Sequence, residues 1–265
     1  MWQALAVYFA LVGLRVLLNY QSLRNYLKLP LVERPAAAER LPSVSVIGAG
    51  AAVETMDYPD VSAAASPDAA TGDWLLFSPP SVEPRPESLD RAMRFALQHR
   101  AQAVSIFLQQ RCETFWERVL LPYAYQQLFI SRPAELRGQW LLIQREAYRR
   151  AEGHEAAQLE AAGVPVLVGR GERLASVRAW LGKHQLAPAT VLGTVLSLLA
   201  IPCAIYGLAV GSRAFELAAL VTYITSVAEL SLWQFLFGTP ISSALYQPLA
   251  AVLFLANAAT KPSKR

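Results

Sequence analysis

Few residues of this 265-residue chain combine a reactive type with a spacing that suggests chemistry. Glu229 stands in the middle of the apolar run Phe215 to Phe237, where an ionisable side chain is costly unless it faces protein or water. Two readings stay open for it: a proton or substrate contact, or a protonated or hydrogen-bonded packing residue set against Arg15 or a partner subunit. His99, His154 and His184 lack metal-ligand spacing such as HExxH. Cys112 and Cys203 are too few and too far apart for a disulfide framework or a zinc site, and they read as free thiols of a reducing compartment or of the bilayer. No metal site follows.

The elements around these residues point to a membrane. Hydrophobic residues make up 54% of the chain and charged residues 17%, and mean hydropathy is +0.29, too apolar for an ordinary soluble domain. Most charges lie between Arg24 and Lys183, leaving a charged middle long enough to bury its own core. The net charge of +4 is scattered, with no basic stripe interleaved with aromatics, so a membrane surface accounts for it and nucleic acid is not expected. Trp2 to Leu18 reads as an anchor, since it lacks the charged n-region of a cleaved signal peptide. Arg15 lies near the end of this run and Arg24 and Lys28 follow it, and the positive-inside rule puts the middle domain in the cytoplasm. Three more runs, Leu186 to Val210, Phe215 to Phe237 and Ile241 to Ala259, give four crossings as the simplest count. Pro248 interrupts the last run, which could instead be re-entrant or interfacial.

The middle reads as alternating strands and helices, hence an α/β layer with parallel pairing. Strands are expected at 43–47, 74–77, 103–108, 138–143 and 164–168, and helices at 88–100, 145–151 and 154–162. A basic amphipathic helix is expected from Arg173 to Gly182. The segment TFWERVLLPYAYQQLFIS, Thr114 to Ser131, carries more large apolar residues than a small soluble helix needs. It reads either as an interfacial helix with aromatics at headgroup depth or as a core helix kinked at Pro122.

In order along the chain, Pro42–Ile47, Thr71–Phe77, Glu87–Ala96, Ala103–Phe107, Thr114–Pro122 and Gly138–Tyr148 followed by Gly153-His154 resemble blocks of membrane-bound family-2 glycosyltransferases of the hopanoid-associated and carotenoid type. The resemblance implies a reduced GT-A-like, Rossmann-like domain in a bacterial inner membrane. It also implies, were the chain active, a nucleotide-sugar donor with a divalent metal. The departures are specific. Where the family carries a metal-binding Asp-x-Asp motif after the second of these blocks, this chain has Ser78-Pro79-Pro80-Ser81-Val82. Where the family places a helix and a second strand ending in nucleotide-holding acidic residues, only Ala51 to Thr71 remains. The strand is expected to be gone, with Asp57-Tyr58-Pro59-Asp60 as a possible remnant. Where the family has a Glu-Asp pair supplying the general base, His154-Glu155 runs almost directly into a helix. Asp73 reads as a substitute metal ligand or, more simply, a polar strand start.

These features divide the chain into an anchor (1–20), a linker (21–42), a degenerate glycosyltransferase-like cytosolic domain (43–184), C-terminal transmembrane helices (185–260) and a basic tail (261–265). The expected function is that of a non-catalytic structural or interaction subunit of a membrane complex, with no cofactor and no metal. Membrane lipids and a protein partner would meet it through Arg15, Trp116, Tyr123, Tyr125, Phe129 and Glu229. The first alternative is a divergent transferase acting on an isoprenoid, hopanoid or carotenoid lipid, with Asp73, His154 and Glu155 as residues to test. The second is a lipid or pigment binder.

Overall fold

The computed structural model describes residues 2–32, 41–48, 53–131, 140–178 and 188–259. The chain separates into two compact units, each assembled from distant parts of the sequence.

The first unit contains a mixed seven-stranded sheet. Its strands are β1 (Val44–Ile47), β2 (Val61–Ala64), β3 (Trp74–Phe77), β4 (Val82–Pro84), β5 (Ala103–Arg111), β6 (Leu141–Gln144) and β7 (Val166–Arg178), in the order β2-β1-β3-β6-β5-β7-β4. β1 runs parallel to both β2 and β3, β6 is antiparallel between β3 and β5, and β7 is parallel to β5. Alternate side chains enter two cores. Val44, Val46, Trp74, Leu76, Val104, Ile106 and Leu142 pack with α2 (Ser88–Gln98), while Leu75, Ala103, Leu141 and Ile143 pack with α4 (Arg145–Ala151) and α5 (Ala156–Ala161). Burial of both faces explains why these strands read as continuous apolar runs instead of alternating ones. Gly72 lets the chain start β3 hard against β1, because a Cβ there would meet the Ser45 nitrogen at 2.6 Å.

Two expectations are corrected here, and one strand is added. The second strand is present: β2 lies beside β1, but its short Val-Ser-Ala-Ala sequence carries little apolar signal. β4 escaped notice because three residues containing a proline do not read as a strand by themselves, and pairing with β7 makes them one. The helix expected from Arg173 is instead the second half of β7 as far as Arg178, and 179–187 lies outside the described residues. Opposite the step from Leu108 to Gln109, the β7 register jumps from Gly171 to Ser176, so an irregular stretch interrupts a strand held by pairing on both sides.

The second unit is helical. It comprises α1 (Trp2–Leu27), α3 (Phe115–Ser131), α6 (Pro188–Ser197), α7 (Ala200–Val210), α8 (Arg213–Phe237), a 3-10 helix (Ile241–Tyr246) and α9 (Gln247–Ala259). Trp2–Leu27, Pro188–Val210 and Arg213–Phe237 are long and apolar enough to cross a membrane. The middle span breaks between α6 and α7, where Pro202 supplies no N–H and crowds the carbonyl one turn back. The last apolar run splits into the 3-10 helix and α9, with Pro248 in the first turn of α9, where its missing N–H costs nothing.

The span 43–184 was expected to form one domain, yet Cys112–Arg132 belongs to the helical unit. Within it α3 touches α1, α6, α8 and α9, and Tyr123, Tyr125 and Phe129 are buried. Those three were expected on a lipid or partner surface. Neighbouring helices cover them instead, and Tyr125 stacks on Phe237 while Phe129 stacks on Trp233. Of the aromatics named for such a surface, Trp116 remains exposed, at the start of α3.

Candidate functional site

In the sheet unit, the place to look for chemistry is the carboxyl end of the parallel strands, where α/β sheets hold ligands. β1 ends at Gly48, whose φ of +88° suits glycine, and β3 ends at Ser78, whose N–H donates to the Ile47 carbonyl at 3.1 Å. The Ser78 side chain is buried. Pro79 and Pro80 then turn the chain, with the Val82 N–H donating to the Pro79 carbonyl at 3.0 Å, and deliver it into β4. The exit that bears carboxylates in the resembled family therefore carries a buried hydroxyl and two rings. Beside it Phe77 is stacked on His154, with centroids 4.2 Å apart and planes 13° apart, and Tyr148 lies 5.5 Å from Phe77.

Of the sequence-named candidates, His154 stands beside this exit and Asp73 does not. Asp73 precedes β3, so the strand's length puts it roughly 16 Å from the Ser78 end. Its carboxylate accepts from Ser43 Oγ at 2.9 Å, and its N–H donates to the same oxygen at 3.0 Å, which ties the starts of β1 and β3 together. Asp57 and Asp60 are exposed and precede β2, whereas the family's nucleotide-holding acids end that strand. Between them Tyr58 is buried and donates to the Pro42 carbonyl at 2.6 Å, and burial pushes its phenol well above the ordinary value. Glu155 begins α5, and its N–H donates to Gln158 Oε1 at 3.1 Å in a capping box. Among the described residues, no group of three or more His, Cys, Asp or Glu is placed to hold a metal. Cys112 is a free thiol whose pKa burial pushes up to about 11, so it is a poor nucleophile at neutral pH.

The helical unit holds a different arrangement. Tyr8, Arg15, Asn19, Ser22 and Tyr26 share one buried face of α1. Tyr8 donates to Thr222 Oγ1 at 2.6 Å, Arg15 donates to Ser226 Oγ, and Arg15 Nη2 lies 3.6 Å from Glu229 Oε1. Asn19 donates to the other Glu229 oxygen. Thr222 and Ser226 donate back to the carbonyls of Ala218 and Thr222, at 2.8 and 2.7 Å, which leaves their oxygens free to accept from α1. Further along, Ser22 donates to the Gln126 carbonyl, Asn25 to that of Phe129, and Tyr26 meets Phe129, Trp233 and Phe237. Contacts advance together on both helices, so α1 and α8 run in the same direction.

The Arg15 side chain is 1% exposed. A guanidinium that deep requires a compensating charge, and Glu229 supplies it. The pairing agrees with the packing option open for Glu229 in the sequence. Asn19, Thr222 and Ser226 were missed, although a polar series at 222, 226 and 229 facing one at 15, 19 and 22 is a helical-period signal visible in both segments.

No family model matches the chain, and no curated protein matches it. Among solved structures, it superposes on residues 1–349 of S. aureus TarS with a TM-score of 0.33 and 10% identity, covering 82% of this chain and 88% of that one. It superposes on glucosyl-3-phosphoglycerate synthase from Mycobacterium tuberculosis, solved with Mn2+, uridine diphosphate and glucosyl-3-phosphoglycerate, with a TM-score of 0.30 and 14% identity, covering 64% and 85%. Likenesses this loose say nothing of this chain's chemistry.

Proposed function

We propose that this chain is a non-catalytic, glycosyltransferase-like integral membrane protein that serves as a structural or interaction subunit of a membrane complex. The observation that carries the reading is the exit of β3. Where the resembled family carries metal-holding carboxylates this chain has Ser78-Pro79-Pro80, and Asp73, which precedes the strand, accepts a hydrogen bond from Ser43 at the opposite end. Sugar transfer from a nucleotide donor depends on stabilising the leaving diphosphate, and Ser78-Pro79-Pro80-Ser81-Val82, the segment that leaves β3, carries neither a carboxylate nor a cation for it. The blocks that resemble the family by contrast fall on core strands, with Pro42–Ile47 on β1 and Thr71–Phe77 on β3, side by side and parallel. Selection for packing would keep such blocks after selection for chemistry had ended. The basic residues Arg24 and Lys28 at the end of α1 favour the cytoplasmic side for that end of the helix.

The test is calorimetric titration of the detergent-purified, folded protein with UDP, GDP and UDP-sugars, with and without manganese. The expected result is no binding in any arm. Metal-dependent binding in the micromolar range overturns the proposal in favour of a divergent transferase, for which His154 beside the β3 exit would be the first substitution to assay.

A further inference from the structure

The exposed side of α1 carries a feature that neither the helix seam nor the β3 exit uses. Tyr20, Leu23, Arg24, Leu27 and Lys28 line an open groove of about 320 Å³ along the last two turns of the helix. Tyr20 is 62% exposed and Leu27 50%, and Arg24 and Lys28 also face outward. Above the groove, Phe9, Val16 and Leu17 are exposed on the same helix face as Tyr20 and lead down to it. Among the described residues neither cation has an ion-pair partner.

Length places the groove in a bilayer. Trp2, 76% exposed, and Tyr20 are separated by about 27 Å at 1.5 Å per residue, close to the roughly 30 Å of a hydrocarbon core. The two aromatics therefore fall at opposite headgroup levels, where such rings are favoured. Arg24 and Lys28 lie one and two turns beyond Tyr20, at the depth of lipid phosphates. The apolar surface, the aromatic at the boundary and the two cations just past it match, in sequence along one helix face, the parts of a phospholipid from acyl chain to headgroup.

We propose that this groove is a binding site for an anionic phospholipid, the acyl chain lying along Leu17 and Tyr20 between the exposed apolar side chains and the headgroup held by Arg24 and Lys28. A zwitterionic lipid carries a compensating cation and gains less from the pair. Two basic side chains near a membrane surface, each contributing about a fivefold gain, give a preference on the order of thirtyfold at low salt.

The full chain in mild detergent, titrated with phosphatidylglycerol and phosphatidylcholine and read by native mass spectrometry, measures that preference. The expected result is phosphatidylglycerol favoured by the stated order, near parity for Arg24→Gln/Lys28→Gln, and retention of the preference in the charge-conserving Arg24→Lys/Lys28→Arg. Arg213→Gln, at the start of α8 and level with the other end of α1, keeps it too. Equal preference in the wild type, an unchanged preference in the Gln pair, or displacement of the lipid by millimolar inorganic phosphate overturns the proposal. The charge-conserving variant keeps the test decisive if the Gln pair loses stability, because loss of preference in a folded Lys/Arg swap also counts against it.

Discussion

Arg15 and Glu229 illustrate how much one pair of charged side chains decides between packed apolar helices. Each alone would be a severe cost in an apolar helix, and together, with Asn19 and Ser226 taking up hydrogen bonds, they fix α1 against α8 in one register. Removing one partner is therefore expected to hurt more than removing both. Arg15→Met should lower stability in detergent by roughly 3–5 kcal/mol, and Arg15→Met/Glu229→Met should recover much of the loss. Thermal unfolding of the three proteins checks this, and additive losses would show that the two residues do not act as a pair. The pairing was legible as an option, since Glu229 stands mid-run, well away from Glu216 at the start, and Arg15 is the one charged residue of its own run. The sequence offered Arg15 or a partner subunit and did not choose between them, because a contact 214 positions away depends on how two helices meet.

At the level of elements, α3 shows how a helix start can be set locally while its surroundings are not. Glu117 accepts from the N–H groups of Glu113 and Thr114 at 2.8 and 2.9 Å, and Thr114 Oγ1 accepts from the Glu117 N–H at 3.2 Å. Thr-x-x-Glu is the capping-box pattern, readable from the sequence and passed over there in favour of the aromatics that follow. Backbone N–H donation, first from Thr114, holds the Glu117 carboxyl below its usual range. A depressed folded pKa contributes stability above the unfolded value and loses it as pH falls through the folded one, so the cap is present at neutral pH and fades in acid. Thr114→Ala or Glu117→Ala should each cost about 1 kcal/mol at pH 7. The penalty of Glu117→Ala should shrink toward pH 3, as measured by unfolding in detergent across that range. A pH-independent penalty would rule out the charged cap. Burial of Tyr123, Tyr125 and Phe129, by contrast, comes from four helices drawn from both ends of the chain. Composition alone left the interfacial and core alternatives equal because both demand the same apolar excess.

Over the whole molecule, the direction of the helices gives a labelling prediction. Since α1 and α8 run the same way and α6–α7 precedes α8 by one tight turn, the turn at 211–212 is level with the start of α1. With Cys112 and Cys203 replaced by Ser, Ser212→Cys and Lys28→Cys should react with an impermeant maleimide from opposite sides of sealed vesicles. Labelling of both from one side would contradict a membrane crossing by α1 and α8.

The sequence by itself determined the helices long and apolar enough to cross a membrane, the apolar strands of the sheet core, most helix starts, and the lack of carboxylates from Ser78 to Val82. Each is a property of composition or of short-range period and needs no partner to be expressed. Only the tertiary structure decided that Val61–Ala64 and Val82–Pro84 are strands, that Arg173–Arg178 is not a helix, that α3 leaves the sheet unit for the helical one, and that Glu229 meets Arg15. The physical reason is common to all four. Short or ambiguous segments take the conformation that satisfies their backbone and charge against neighbours, and those neighbours lie tens to hundreds of residues away.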